Sequence, residues 1–468
     1  MAGNVNERVA ARVAVVGAGY AGLAAAVELA GAGIKVDVFE ASRTLGGRAR
    51  AVEIKDELGG LTVDNGAHIL VGAYRETLRL MAKVGAGGMK CPVAGTASAG
   101  TPRKLGTALR RESLHLEFPG QVRIAAPRLP APLHLAWALL SAQGLSFKDK
   151  LAAIRFMRTQ QARNFRLAAD MTAAELFADQ PARVRRYLWE PLCLAALNTP
   201  VGIASAQVFL NVLRDSLAAD RAASDLLLPA TDFSSLFPEP AARYLEEHGS
   251  RVLRSTRITE VEKVGVTEGN PLLGTGWTAS GLDETHGPYD HLILATAPYH
   301  LPQLLAPHPE FAALCRQIEL MHWQPIVTAY LAYPPAVRLP FAMVGSEGGH
   351  AQWLFDRGAL CGQHGLIAAV ISGDGPHQAL DHTALAAAIH DEIAGLLPDL
   401  PAPQHSWVIE EKRATFACTP DMQRPPTATS CANVWLAGDY VAGDYPATLE
   451  GAIRSGVAAA RAVLREMP

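Results

Sequence analysis

The hydrophobic positions of the chain change period from one segment to the next. "RVAVV" at residues 12–16 is a short continuous apolar run, and the Ala-rich "YAGLAAAVELAGAG" behind it carries a helix over residues 21–30. "IKVDVFE" alternates apolar and polar positions up to Glu40, as a strand does. "YDHLILATAP" at residues 289–298 reads as a buried parallel strand ending in a turn, and "GSRVLRSTRITEVEKV" at residues 249–264 alternates as one strand. Residues 76–200 are mostly helical in pattern, whereas "WQPIVTAYLAY" and "LIAAVISGDG" belong to a sheet. Near the C-terminus, "NVWLAGDYVAGDYPATLEGAIRSGVAAARAVL" predicts a strand to Ala437, a Gly-Asp turn and an amphipathic helix from about Ala447. In "DNGAHILVGAY", residues 64–74, a polar start runs into Ile69, Leu70 and Val71, which predicts a helix beginning near Gly66.

At 468 residues the chain is long enough for at least two domains of roughly 100–200 residues each. The composition is 49% hydrophobic with a formal net charge of −3 and no extended basic run, which argues against a nucleic-acid partner. Six dispersed cysteines without Cys-x-x-Cys or His-Glu-x-x-His spacing read as reduced, mostly buried thiols, and no metal site is expected. "MAGNVNERVAARVAVVG" has Glu7 and Arg8 ahead of its apolar run and lacks the pattern of a secretory leader, so cytoplasmic residence is expected. The most apolar window, residues 127–145, is too short and Pro-interrupted to span a bilayer but suits contact with one leaflet.

Gly17, Gly19 and Gly22 stand in G-x-G-x-x-G spacing between the first strand and the first helix. The first makes the tight turn, the second admits a pyrophosphate to the backbone, and the third lets helix pack on strand. The second strand ends at Glu40, about 18 residues beyond Gly22 and close to the roughly 20 expected of an acid that accepts ribose hydroxyls. "GTGWTASG" at Gly274 lacks this spacing, so a second dinucleotide domain is not expected.

Beyond the ribose acid lies "EASRTLGGRAR", with Gly46, Gly47 and Arg48, and here the chain resembles the amine oxidase and phytoene desaturase superfamily of FAD enzymes. That resemblance implies an α/β fold: a Rossmann-type FAD-binding domain, glutathione reductase-like and of amine oxidase type, with an inserted α+β substrate domain. It divides the chain into residues 1–75, 203–298 and 410–468 for FAD and residues 76–202 and 299–409 for substrate. It also implies that Gly47 and Arg48 lie by the pyrophosphate, that the backbone near Ile258 meets the adenine, that Asp439 lies by ribityl and phosphate oxygens, and that Leu449 presents its N–H at a helix start.

"DNGAHILVGAYRETLRLM", "WEPLCLAALNTP" and "ASDLLLPATDFSSLFPEPAARYLEEHG" narrow the resemblance to the hydroxysqualene dehydroxylases of hopanoid synthesis. One departure is Ala67, where that family's motif leads us to expect Gln. The resemblance implies reductive removal of an allylic hydroxyl from hydroxysqualene, with FAD reduced by an external donor such as NADPH. Squalene-pathway enzymes become candidate partners, and the inner face of the membrane a candidate location. The alternatives are a carotenoid or squalene desaturase, an amine oxidase, and a flavin-fold protein that only carries isoprenoid.

His68 and Asp64 are the candidates for proton chemistry, His68 because an imidazole titrates near neutrality. The competing reading of Asp64 is a cap on the helix expected from Gly66. Glu190, Asn198 and Asp225 are weaker candidates, each with a surface or capping alternative. His322 and Trp323 begin a strand that could floor the pocket or pack in the core. Arg155, Arg158, Arg163 and Arg166 read as a solvated face or as an attraction to anionic lipid.

Overall fold

The computed structural model describes residues 11–55, 60–88, 106–265 and 275–467. The leader reading of residues 1–10, Cys91 and Gly274 fall outside them. A five-stranded parallel sheet runs in the order Arg251–Leu253, Lys35–Phe39, Arg12–Val16, His291–Leu294 and Val434–Leu436. Helices Tyr20–Gly31 and Leu449–Glu466 pack together on it. They approach so closely that a Cβ on Gly456 would stand 2.1 Å from the carbonyl oxygen of Ala21. Gly438 is fastened to the second helix by its N–H, donated to Ser455 Oγ at 2.8 Å.

The second large sheet is antiparallel, in the order Met343–Gly345, Trp353–Asp356, Leu366–Ser372, Trp323–Ala332 and His405–Phe416. Its inner strands Trp353–Asp356 and Leu366–Ser372 are largely apolar on both faces because both are covered. Val327, Leu354 and Ile371 pack with Ile389 of the helix His382–Ala394. The alternate residues Ile326, Phe355 and Val370 face a large cavity. The expected boundary between residues 409 and 410 falls inside the strand His405–Phe416, which pairs with Trp323–Ala332 from Trp323↔Phe416 to Ala332↔His405.

Three local expectations are corrected. No helix begins near Gly66; Leu70–Val71 is a short strand antiparallel to Leu226–Leu227, and the helix begins at Arg75. Gly72 permits this docking, because a Cβ there would lie 1.7 Å from Ala222 O. Residues 249–264 form two strands, Arg251–Leu253 and Glu260–Gly265, interrupted where Ser255 takes φ +54°. The stretch 76–200 also contains the strands Leu109–Glu112, His115–Phe118 and Val122–Ala125 among its helices.

Candidate active site

The first strand ends in Gly17 at φ +111°, whose N–H donates to Phe39 O at 2.8 Å. Any side chain here would strike the neighbouring strand's continuation, since a Cβ would stand 2.5 Å from Ala295 O. Gly22 lies one helical turn on; its Cβ would be 2.0 Å from Gly17 O, so the helix packs tightly only on glycine. Gly19 is different in kind. Its Cβ would meet only Gly47 Cα, at the ordinary contact distance of 3.9 Å, so a methyl fits there without a clash, and both glycines line the cavity. The helix Tyr20–Gly31 begins beside them with no side-chain cap on its first amides.

Glu40 closes the loop from the second strand. Its carboxylate accepts from the N–H of Ala18 and of Ser42, each at 2.9 Å. Arg48 donates to Asp439 Oδ1 at 2.6 Å and to Ala414 O at 2.5 Å. Burial works against its charge and Asp439 more than restores it, so the guanidinium stays ionised. A single cavity of about 1000 Å³ is lined by Gly17, Gly19, Glu40, Gly47 and Arg48. The same cavity reaches Ile258, Asp439 and Leu449. Gly22 is not on its wall, in keeping with a packing role.

The other half of the cavity is apolar. Leu192 and Ala196 reach it from the helix Glu190–Leu197, Phe209 and Leu213 from the helix Ala206–Ser216, and Trp353 and Phe355 from the antiparallel sheet.

His68 and Asp64, expected together, are separated by the wall. His68 lines the cavity, its ring edge-on to Phe233 at 5.2 Å. Burial, and then the nearby Arg48 charge, push its pKa down to about 4, so at neutral pH the imidazole is uncharged. Asp64 does not reach the cavity. It ends the strand Leu61–Asp64 and accepts from the Phe233 N–H at 2.8 Å, with Arg357 Nη1 at 3.4 Å. Its capping is therefore of the helix Phe233–Leu236, not of a helix at Gly66. Burial, only partly offset by Arg357, raises its pKa to about 6.

Of the weaker candidates, Asn198 lines the cavity with its amide fully used, donating to Pro325 O and Thr415 Oγ1 and accepting from the Gly373 N–H. Glu190 is half-buried, and Asp225 is held by Arg111 and Arg221. His322 is exposed and does not floor the pocket, while Trp323 packs edge-on against the lining residue Tyr299. Sequence reasoning marked Asn65, with Asp64 and His68, as a hydrogen-bonding group but not its partners: its Nδ2 donates to Arg48 O and Glu411 Oε2. Its only signal was its place in the same motif as Asp64. It also missed the Tyr445 hydroxyl on Asp215 at 2.6 Å, a pair 230 residues apart on the cavity wall with no local signal.

The cradle fits a dinucleotide. Its glycines leave backbone exposed where the helix amides converge, and the buried hydroxyls of Thr296 and Tyr440, both on the cavity wall, have no partner among the described residues. A parallel sheet that presents such a loop beside an apolar chamber is the architecture of the flavin-dependent oxidoreductases.

The chain belongs to the flavin containing amine oxidoreductase family, whose profile matches residues 20–464, and within it groups with the hydroxysqualene dehydroxylases; it is an FAD-dependent oxidoreductase. A hydroxysqualene dehydroxylase from Rhodopseudomonas palustris is 32% identical, and one from Sinorhizobium fredii 30%, each covering 97% of this chain and 98% of its own length. A zeta-carotene desaturase from Synechocystis sp. is 24% identical over 97% of both chains. Among solved structures, an oxidoreductase from Methanosarcina mazei superposes with a TM-score of 0.69 at 13% identity, covering 96% of this chain and 99% of that one.

Proposed function

We propose that the chain removes the hydroxyl of hydroxysqualene reductively to give squalene. The observation that carries this reading is the continuity of the cavity from the glycine cradle to a chamber walled by Leu192, Phe209, Leu213, Trp353 and Phe355. An isoprenoid chain suits such a wall, and a site for a small amine would need far less apolar surface. The names of the relatives at 30–32% identity support the same substrate.

When bound in its reduced form, the flavin supplies a hydride. The allylic C–O bond would break with its electron pair on oxygen, which would take a proton drawn from solvent and leave as water while the new C–H bond forms, with an external donor such as NADPH as the source of the electrons. Arg48 and Asp439 hold the ribityl and phosphate end, Glu40 the ribose, and the backbone near Ile258 the adenine. The apolar wall keeps bulk water from the allylic cation. His68, uncharged at neutral pH, acts as a hydrogen-bonding group that orients the hydroxyl rather than as an ionised acid. Asp64 fixes the wall behind it. Ala67 leaves an apolar patch beside His68 on the same wall. The chain works at the cytoplasmic face of the membrane, next to the enzymes that handle its substrate and product.

The test is anaerobic incubation of the yellow protein with hydroxysqualene and a reductant, followed by product analysis. Squalene is expected. A more unsaturated product formed only with oxidised flavin would make the enzyme a desaturase, and consumption of an amine with peroxide release would make it an amine oxidase. A colourless protein that takes up no FAD would leave only an isoprenoid carrier.

A further inference from the structure

Among the described residues nine large apolar side chains are exposed, and five of them fall within residues 129–147. Four form one surface: Leu133 is 58% exposed, Trp137 57%, Leu140 50% and Phe147 74%. The helix Leu133–Leu140 turns His134 and Ala138 inward and Leu133, Trp137 and Leu140 outward, so its outer face is apolar. A surface helix in water has a polar outer face; this one needs a second apolar medium.

The helix Phe147–Ala162 packs beside it, tied by Lys150 Nζ to Leu140 O at 2.8 Å. Its inward face is Asp149, Ala153, Phe156 and Gln160. On the opposite face Phe147, Leu151, Ile154 and Arg158 follow at i, i+4, i+7 and i+11, with Arg155 exposed alongside. Residues 128–166 hold seven Lys and Arg but one acid, Asp149, which is buried in the capping box with Ser146. In a chain of net charge −3 this is a local reversal of sign.

We infer that these two helices dock the protein on an anionic lipid surface, with Leu133, Trp137, Leu140 and Phe147 in the acyl boundary and Arg155, Arg158 and Lys148 at the phosphates. Apolar side chains ringed by cations suit that boundary. A two-fold dimer through this face would set the same positive excess against itself. Among the described residues no helix is long and apolar enough to cross a membrane, so the contact is with one leaflet.

The docking face lies one layer from the cavity. His134 Nε2 meets Ser224 Oγ at 3.1 Å, and Ser224 is on the cavity wall with Leu116 and Leu226. Resting on the proposed function, this places the entry of an isoprenoid from the bilayer beside Ser224.

The test is co-sedimentation of the flavin-loaded full chain with phosphatidylcholine vesicles and with vesicles containing phosphatidylglycerol, at low and high salt. Binding to the anionic vesicles, weakened by salt, is expected. L133S/W137S/F147S should bind about tenfold or more weakly, since each lost side chain forfeits apolar burial, and K148E/R155E/R158E should lose the salt dependence. Both variants alter exposed positions and should keep their flavin and their turnover of detergent-dispersed hydroxysqualene, while turnover of vesicle-embedded substrate falls. Vesicle binding by the apolar variant equal to wild type overturns the inference. So does a lipid-indifferent dimer that the same variant converts to monomer. Intact, patch-dependent vesicle binding without turnover of hydroxysqualene in either format upholds the docking face and removes the dehydroxylation reading instead.

Discussion

The two halves of the cavity are built from different material. The glycine-lined half is mostly backbone, Gly17, Gly19, Gly47 and a helix start without a side-chain cap, joined by the side-chain pair Arg48–Asp439. The chamber is side chain, contributed by two consecutive helices and an antiparallel sheet much later in the chain. At Gly17 and Gly22 the backbone tolerates no side chain, because a Cβ collides, whereas an apolar wall accepts many residues of similar size. On the proposed function the cofactor would be held rigidly and the substrate loosely, and variants should divide along that line.

The largest effects belong to the glycines. Gly22→Val drives a side chain into Gly17 O and should yield colourless protein, read from visible absorbance after purification with added FAD. Gly19→Ala is the sharper experiment, because its methyl meets no protein atom nearer than 3.9 Å and the fold should survive. Loss of flavin with an unchanged circular dichroism spectrum is expected; wild-type flavin retention would show that the cavity wall at Gly19 is not the pyrophosphate seat. Arg48→Met comes next. If Arg48 holds a phosphate as proposed, the change removes a charge-assisted hydrogen bond to FAD worth about 1.5–3 kcal/mol, so FAD should bind roughly 10- to 100-fold more weakly in equilibrium titration. Flavin affinity equal to wild type would reduce Arg48 to a partner of Asp439.

The glycine-lined half of the cavity was legible in the sequence because its signals are local: three glycines, a following Gly-Gly-Arg turn and an acid at the end of the next strand lie within residues 17–48. What local pattern could not supply is the pairing of distant segments. Leu70 and Val71 belong to a helical-looking run, yet they are a strand because Leu226 and Leu227 offer one to pair with. The same limit hid Tyr445 on Asp215 and the attachment of Asp64 to Phe233. The chemistry of His68 was equally out of reach, since its lowered pKa comes from enclosure and from Arg48, which reaches it through the fold. The docking surface was half legible: the apolar and basic segments showed in the sequence, but that Trp137 points outward and His134 inward did not.

A substitution in the chamber should give the reverse of the glycine phenotype. Ala196→Trp places a large ring on the apolar wall; flavin content should match wild type while kcat/KM for the isoprenoid drops about tenfold or more, the scale of a lost fit in an apolar pocket. Equal loss of flavin and turnover would mean that the two halves are not separable.

The smallest effect tests the wall between the halves, where Asp64 and His68 titrate in opposite senses. His68 has a folded pKa of about 4 against an ordinary 6.5, so in that interval the unfolded chain binds more protons. Its contribution is complete above 6.5 and is lost as pH falls towards 4. Asp64 is raised from 3.8 to about 6, so the folded chain holds the proton longer; its contribution is complete below 3.8 and is lost as pH rises through 6. The two slopes, each at most about 1.4 kcal/mol per pH unit, largely cancel in the wild type. Asp64→Asn removes one of them, and urea stability should then climb with pH between 4 and 6.5 more steeply than in the wild type. His68→Gln removes the other, and stability should decline over the same range. Offsets in stability from lost hydrogen bonds would shift either curve without tilting it, so the slopes report titration alone. Parallel profiles for all three proteins would mean that neither group is enclosed as the packing of Phe233, Arg357 and Arg48 around them requires.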